Sequence, residues 1–207
     1  MTASTERVSP LAQWAARFAA VSADTAAFTL RELPFATQLN LRGDSSVAAF
    51  RGVLGFDLPL TANTWTSRDD AAALWLGPDE WLVVAPEGRN ESLCVGLRTA
   101  LQGVHHAITD VSASRTIIEL SGAHARLVLA KGCPLDLHGS ALNPPHCAQT
   151  LLAKSQVIMQ CIDGRPTFRI YVRNSFAPYV SEWLVDAAAE LAASADLDTA
   201  RVARSLA

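Results

Sequence analysis

The residues of this 207-residue chain best suited to chemistry are its four cysteines and five histidines. Cys133 with His138, and His146 beside Cys147, each bring a sulfur near an imidazole, the donors of a zinc site or of a histidine-activated thiolate. Neither pair has the ligand spacing of a zinc knuckle. Cys94, Cys133, Cys147 and Cys161 contain no C-x-x-C pair, which fits reduced thiols better than a disulfide frame or a zinc ribbon. His105-His106 reads as a polar linker. Asp79 and Glu80 are adjacent, so an extended backbone would point them to opposite faces, a poor geometry for a paired general acid and base. Within Gly77-Pro78-Asp79-Glu80 they have the simpler role of turn residues. There is no P-loop, no G-x-G-x-x-G, no G-x-S-x-G and no H-E-x-x-H. We therefore expect no catalytic, cofactor-binding or metal-ligating residue on this chain.

Composition narrows the class further. At 50% hydrophobic and 18% charged residues, the chain is long enough to bury a sizeable core and is too apolar to be disordered. A net charge of -3, with no run of Lys or Arg, argues against a nucleic-acid or anionic-membrane surface. MTASTERVSP has neither a charged start leading into an apolar stretch nor a cleavage site, and no apolar run approaches spanning length, so a cytoplasmic protein is expected.

The elements that would position these residues come in two similar sets. Residues 115–120 alternate as a strand, Ser121-Gly122 turns the chain, and 123–131 form a short helix stopped by Gly132, a residue suited to the left-handed position after a helix. The apolar run 127–130 leaves that helix almost no polar side, which predicts burial under a second layer. Residues 38–41, Arg42-Gly43 and 45–53 repeat the pattern, with the helix ending near Gly55, and FDLPL (56–60) matches CPLDL (133–137) in character. Each copy continues as a strand pair and a helix: 73–76, 81–85 and 91–101, then 156–162, 167–172 and 177–191. Asp163-Gly164 gives a two-residue hairpin signal, and Pro166 would hold that strand end at an edge. The expected fold is α+β: two duplicated β-α-β-β-α halves, 33–103 and 104–191, in one pseudo-symmetric domain with helices packed on antiparallel-rich sheet. Residues 1–32 precede the core and 192–207 follow it. Stretches 63–70 and 103–107 read as loop and linker.

Two features lie outside this core pattern. Leu11, Trp14, Phe18 and Val21 make one apolar helical stripe, which either covers its own domain or docks on another chain. Both halves already hold two helices, so Leu11, Trp14 and Phe18 are candidates for a partner interface. On strand 167–172, Arg169 and Arg173 flank Tyr171 on the side opposite Phe168, Ile170 and Val172. A buried guanidinium requires a counter-charge, so this row is either exposed or meets carboxylates from the helix layer or from a partner. Arg169, Tyr171 and Arg173 complete the candidate interface set.

The segments LGPDEWLVVAP (76–86), DVSASRTIIELSGAHARLVLAKGCPLDLH (110–138) and FRIYVRNSFAPYVSEWLVDAA (168–188) resemble the gamma subunit of bacterial heterotetrameric sarcosine oxidase, over about residues 33 to 189. Subunits of N-methylglutamate dehydrogenase-type complexes share these motifs and are not separable by them. The wider fold is similar to the folate-binding domains of aminomethyltransferases. The resemblance implies a subunit without redox chemistry of its own, helping to hold its partners in register. FAD, covalent FMN, NAD and tetrahydrofolate would lie on large alpha and beta subunits, and zinc on a small delta subunit. It also implies that the complex oxidises sarcosine with oxygen, giving glycine, peroxide and formaldehyde or 5,10-methylenetetrahydrofolate. A stand-alone tetrahydrofolate-dependent aminomethyltransferase, which would need a further domain, and a solitary small-molecule-binding module are the other classes open at this point.

Overall fold

The computed structural model describes residues 7–23, 27–33, 35–44 and 49–205. Its strands are β1 (Thr29–Leu33), β2 (Ala36–Gly43), β3 (Trp65–Arg68), β4 (Ala71–Gly77), β5 (Glu80–Pro86), β6 (His106–Asp110), β7 (Arg115–Ser121), β8 (Cys147–Leu152), β9 (Ser155–Asp163) and β10 (Thr167–Arg173). Its helices are α1 (Ala15–Ala23), preceded by a 3-10 turn at Ala12–Trp14, α2 (Ala49–Leu54), α3 (Asn90–Ala100), α4 (Ala125–Ala130) and α5 (Ala177–Ser205). Residues 45–48, expected to open the first-half helix, lie outside the described residues.

Two five-stranded antiparallel sheets result, ordered β1-β7-β10-β9-β8 and β3-β4-β5-β2-β6. The duplication is legible in these orders, because each sheet runs through equivalent strands of its half. One strand in each is foreign. β1, from the first half, pairs with β7 from Thr29↔Ser121 to Leu33↔Ile117, while β6, from the second, pairs with β2 from Leu39↔Asp110 to Gly43↔His106. The repeat is therefore ββαβββα with its first strands exchanged, longer than the pattern read from sequence by one strand at its start and one after its first helix.

Alternation along the strands creates three cores. Ile118, Leu120, Phe168 and Ile170 point from the first sheet into α1, α4 and α5, where Val128, Val180 and Leu184 complete the packing. Leu39, Leu41, Trp81 and Val83 meet Phe50, Leu93 and Leu97 of α2 and α3 on the outer side of the second sheet. Between the sheets, Leu74, Leu82 and Val84 stack on Ile117, Ile158 and Tyr171. The molecule is thus four layers: helix, sheet, sheet, helix.

Three local expectations are corrected. Leu127 of α4 stays 53% exposed, since only Ala125, Val128 and Leu129 are buried and, among the described residues, no further layer covers the helix. Gly132 is not left-handed; a Cβ there would come 2.4 Å from the Trp183 ring, so its function is to let α5 approach. The loop after Asp163 has three residues, with a register shift at Thr167/Phe168, and β10 is the central strand of its sheet, with Pro166 just outside the ladder.

The helix over residues 11–23 also needs correction as an interface element. Leu11, Trp14, Phe18 and Val21 all insert into the chain's own core beside Phe28 and Leu30. Ser22 Oγ accepts the Leu30 backbone N–H at 2.9 Å, and Arg17 makes two bonds to Glu182 of α5, at 2.8 and 2.7 Å. The stripe covers β1, and no part of it remains for a partner. Phe18→Ala should accordingly lower the unfolding free energy of the isolated chain by about 3 to 5 kcal/mol, because it opens a cavity in a packed core. Urea unfolding of the parent and the variant measures it.

Candidate functional site

The row Arg169, Tyr171 and Arg173 lies on the side of the second sheet, away from the helix layer, with Tyr171 buried, Arg169 half-buried and Arg173 exposed at the rim. Strand register turns it into a grid. In the middle row, Leu33, Ile117, Tyr171, Ile158 and Gln149 lie side by side on five strands. Tyr171 is fully buried there, its hydroxyl donates to Gln160 Oε1 at 2.6 Å, and burial pushes its phenol above the ordinary range.

The two flanking rows treat arginine differently. In one, Glu119 of β7 stands between Arg31 of β1 and Arg169 of β10. Its Oε1 accepts from Arg31 Nε and Nη2 at 2.9 and 2.6 Å, and its Oε2 from Arg169 Nε at 3.2 Å. Only 6% of Glu119 is exposed, so this carboxylate is a buried counter-charge held by two guanidinium groups. The carboxylate that meets Arg169 thus comes from the neighbouring strand, and not from a helix or a partner.

In the other row, Arg115 lies directly opposite Arg173. Among the described residues, neither has a carboxylate within ion-pair distance. Burial, then the charge of Arg173, holds the Arg115 guanidinium below its ordinary value, and Glu80 across the sheets opposes this. Glu80 is already engaged, accepting from Asn40 Nδ2 at 2.7 Å and Arg42 Nη2 at 2.6 Å. Arg115, Tyr171 and Arg173 line a cavity of about 290 Å³ that also touches Gln149, Thr150 and Gln156.

The sulfur and imidazole groups do not converge. Cys133 Sγ lies 4.0 Å from Thr150 Oγ1, whereas His138 Nδ1 is 2.7 Å from Ser140 Oγ. His146 Nδ1 approaches the Asn143 carbonyl at 2.6 Å, while the Cys147 thiol donates to the Thr64 carbonyl at 3.2 Å. All four cysteines are free and buried. Burial pushes the Cys147 thiol up to about 12, and its hydrogen bonding with the Trp75 backbone offsets this only in part.

Residues 38–190 match the model of the sarcosine oxidase, gamma subunit family. The chain belongs to that family. It is 38% identical over 193 residues to sarcosine oxidase subunit gamma of Corynebacterium sp. (strain U-96), covering 91% of this chain and 93% of the relative. It is 39% identical over 170 residues to the Arthrobacter sp. protein of the same description, covering 80% and 82%. Among solved structures, it superposes on a chain of the heterotetrameric sarcosine oxidase from Corynebacterium sp. U-96 with a TM-score of 0.79 and 37% identity, over 90% of this chain and 96% of that one. Glycine cleavage system aminomethyltransferase T from Bartonella henselae shares the fold at a TM-score of 0.62 and 17% identity, over 82% of this chain and 48% of that chain.

Glu119, Arg31 and Arg115 are not among the site residues the sequence singles out, although the alternation over 115–120 puts Arg115 and Glu119 on one side of β7. Pairing with β1 and β10 is what brings the arginines to them. Glu119→Gln should cost about 2 kcal/mol in urea unfolding, less than a fully buried pair because Arg169 and Arg31 can rehydrate. Arg31→Ala, at an exposed position, should cost under about 1 kcal/mol. For Cys147, a thiol near 12 is thiolate in only about one molecule in ten thousand at pH 8, against roughly a quarter for an unfolded thiol. Iodoacetamide labelling followed by peptide mass mapping at that pH should leave Cys147 unmodified in the native chain and modify it in urea.

Proposed function

We propose that this chain is the gamma subunit of a heterotetrameric sarcosine oxidase, a structural member of an assembly whose chemistry takes place on its partner chains. What carries this reading is superposition over 96% of a chain of the Corynebacterium enzyme at 37% identity: the likeness spans a whole chain of that assembly. The chain's own residues agree with a supporting role. Its thiols are buried and raised in pKa where shifted, and His106, His138 and His146 bond to neighbouring carbonyl and hydroxyl groups.

In this reading the partners are alpha, beta and delta subunits, with FAD, FMN, NAD, tetrahydrofolate and zinc on those chains, in the cytoplasm. The duplicated halves, expected over 33–103 and 104–191 and with the first reaching back to β1 at Thr29, act as one unit. Partner contact falls outside the stripe of Leu11, Trp14 and Phe18, which the core already uses. No helix among the described residues is long and apolar enough to cross a membrane.

Co-expression with flavoprotein subunits encoded beside it, followed by affinity capture on a tag carried by this chain, tests the proposal. The captured complex should be yellow and oxidise sarcosine, whereas the chain purified alone should be colourless and inactive. Stoichiometric flavin on the chain alone, or failure to capture any large subunit, would overturn it.

A further inference from the structure

We infer that the cavity between Arg115 and Arg173 binds a small oxyanion of the carboxylate or phosphate class. Like charges directly opposite on neighbouring strands are destabilising, and a guanidinium that is partly desolvated needs a counter-charge more than an exposed one does. This sheet shows how the chain supplies one when structure alone is at stake: two residues further along each strand from the apolar row, Glu119 lies between Arg31 and Arg169. At the opposite flank no carboxylate does so, and Glu80, the acid whose field reaches Arg115, is held by Arg42 and Asn40.

The duplication provides an internal control. Arg115 is the first residue of β7 and pairs with Arg173, the last of β10. The equivalent places in the other half are Ala36, first in β2, and Pro86, last in β5, which pair in the same way. A charged pair at this corner is therefore no requirement of the fold, since the corresponding corner is built without one. The cavity supplies the rest of a site. Its volume of about 290 Å³ is close to the lower end of ordinary ligand pockets, about 300 Å³. Arg173 is exposed at its mouth, so an anion can enter, and Arg115 is half-buried behind it. Two guanidinium forks suit the planar carboxylate or the phosphate oxygens bidentately, and Gln156, in the same row as Arg173, adds a neutral amide, while Gln149 is held by the Leu76 carbonyl and Thr150 turns its hydroxyl toward Cys133. Exposed Leu151 and buried Ile158 leave an apolar wall for a short carbon body.

Isothermal titration of the full chain with succinate, and separately with inorganic phosphate, at ionic strength fixed with sodium chloride, tests this. Saturable binding of either probe is expected, and which of them binds assigns the oxyanion. Arg173→Ala should weaken that binding by about tenfold or more. Because Arg173 is exposed, this variant should keep or slightly raise the melting temperature, and Arg51→Ala, on the far sheet's helix, should bind like the parent. Heats that never saturate, or an Arg173→Ala chain that binds like the parent, would overturn the inference. The same titration on the assembled complex, read as the difference between complexes carrying parent and Arg173→Ala chains, should retain the site. A site present in the free chain and lost in the complex would show that an acidic group of a partner takes these arginines, which also overturns it. Neither arm on the free chain depends on the proposed subunit role.

Discussion

Neither half of this molecule can finish its own sheet, and most of its architecture follows from that. β1 leaves the first half to pair with β7, and β6 leaves the second to pair with β2. Only residues 34–35 separate β1 from β2, and only 111–114 separate β6 from β7, so each exchange crosses from one sheet to the other in a few residues. Connections that short fix the sheets face to face, and the seam between them must be apolar at its centre, where Leu82, Val84, Ile117 and Tyr171 meet. The crossing is stitched by Gln38, whose carbonyl accepts from Val111 N–H at 2.8 Å and whose side chain donates to the Arg115 carbonyl at 3.0 Å. On the far side, a bridge between Thr64 and His146 joins β3 to β8, and the Trp65 indole donates to the Cys161 carbonyl at 3.0 Å. The halves are therefore closed on each other at both edges.

Legibility of the strands in the sequence follows the same geometry. The six segments that read as strands became β2, β4, β5, β7, β9 and β10, every one an inner strand with neighbours on both sides. The four that did not, TLREL, WTSR, HAITD and CAQTLL, became β1, β3, β6 and β8, which are the four edges. Inner strands bury both faces and carry continuous Val, Ile and Leu, whereas an edge strand can be short, polar and charged. Alternation within one segment cannot announce an edge, because the partner that makes it a strand lies 88 residues away for Arg31 and Glu119. Exchange of the edges was hidden for the same reason.

That blind spot also explains the N-terminal helix. Counting two helices per half left a fifth without a task, and its stripe of Leu11, Trp14, Phe18 and Val21 looked free for a partner. The first sheet has a fifth strand, however, and β1 would present Leu30 to water without α1 over it. A stripe of large apolar residues specifies burial and is silent on whose surface provides it. The arginine row was legible to the same depth: alternation placed Arg169, Tyr171 and Arg173 on one side correctly, but their surroundings depended on register with β7, β9 and β1.

The seam shows how the chain places polar groups where two sheets meet. At its centre the one phenol is satisfied by an amide, Tyr171 to Gln160, and remains neutral under burial. One step outward, Glu119 is charged and nearly buried, which is tolerable because two guanidinium groups complete its hydrogen bonds. Both sheet faces are thereby occupied, one by helices and the other by the opposite sheet. Surface left for contact with other chains is confined to the helices' outer sides, the loops and the rims of the seam, where Leu60, Val95, Leu127, Leu151, Phe176 and Tyr179 stand exposed. Since these side chains stand outside the buried cores that fix the fold, substitutions among them can change what this subunit touches with little effect on whether it folds.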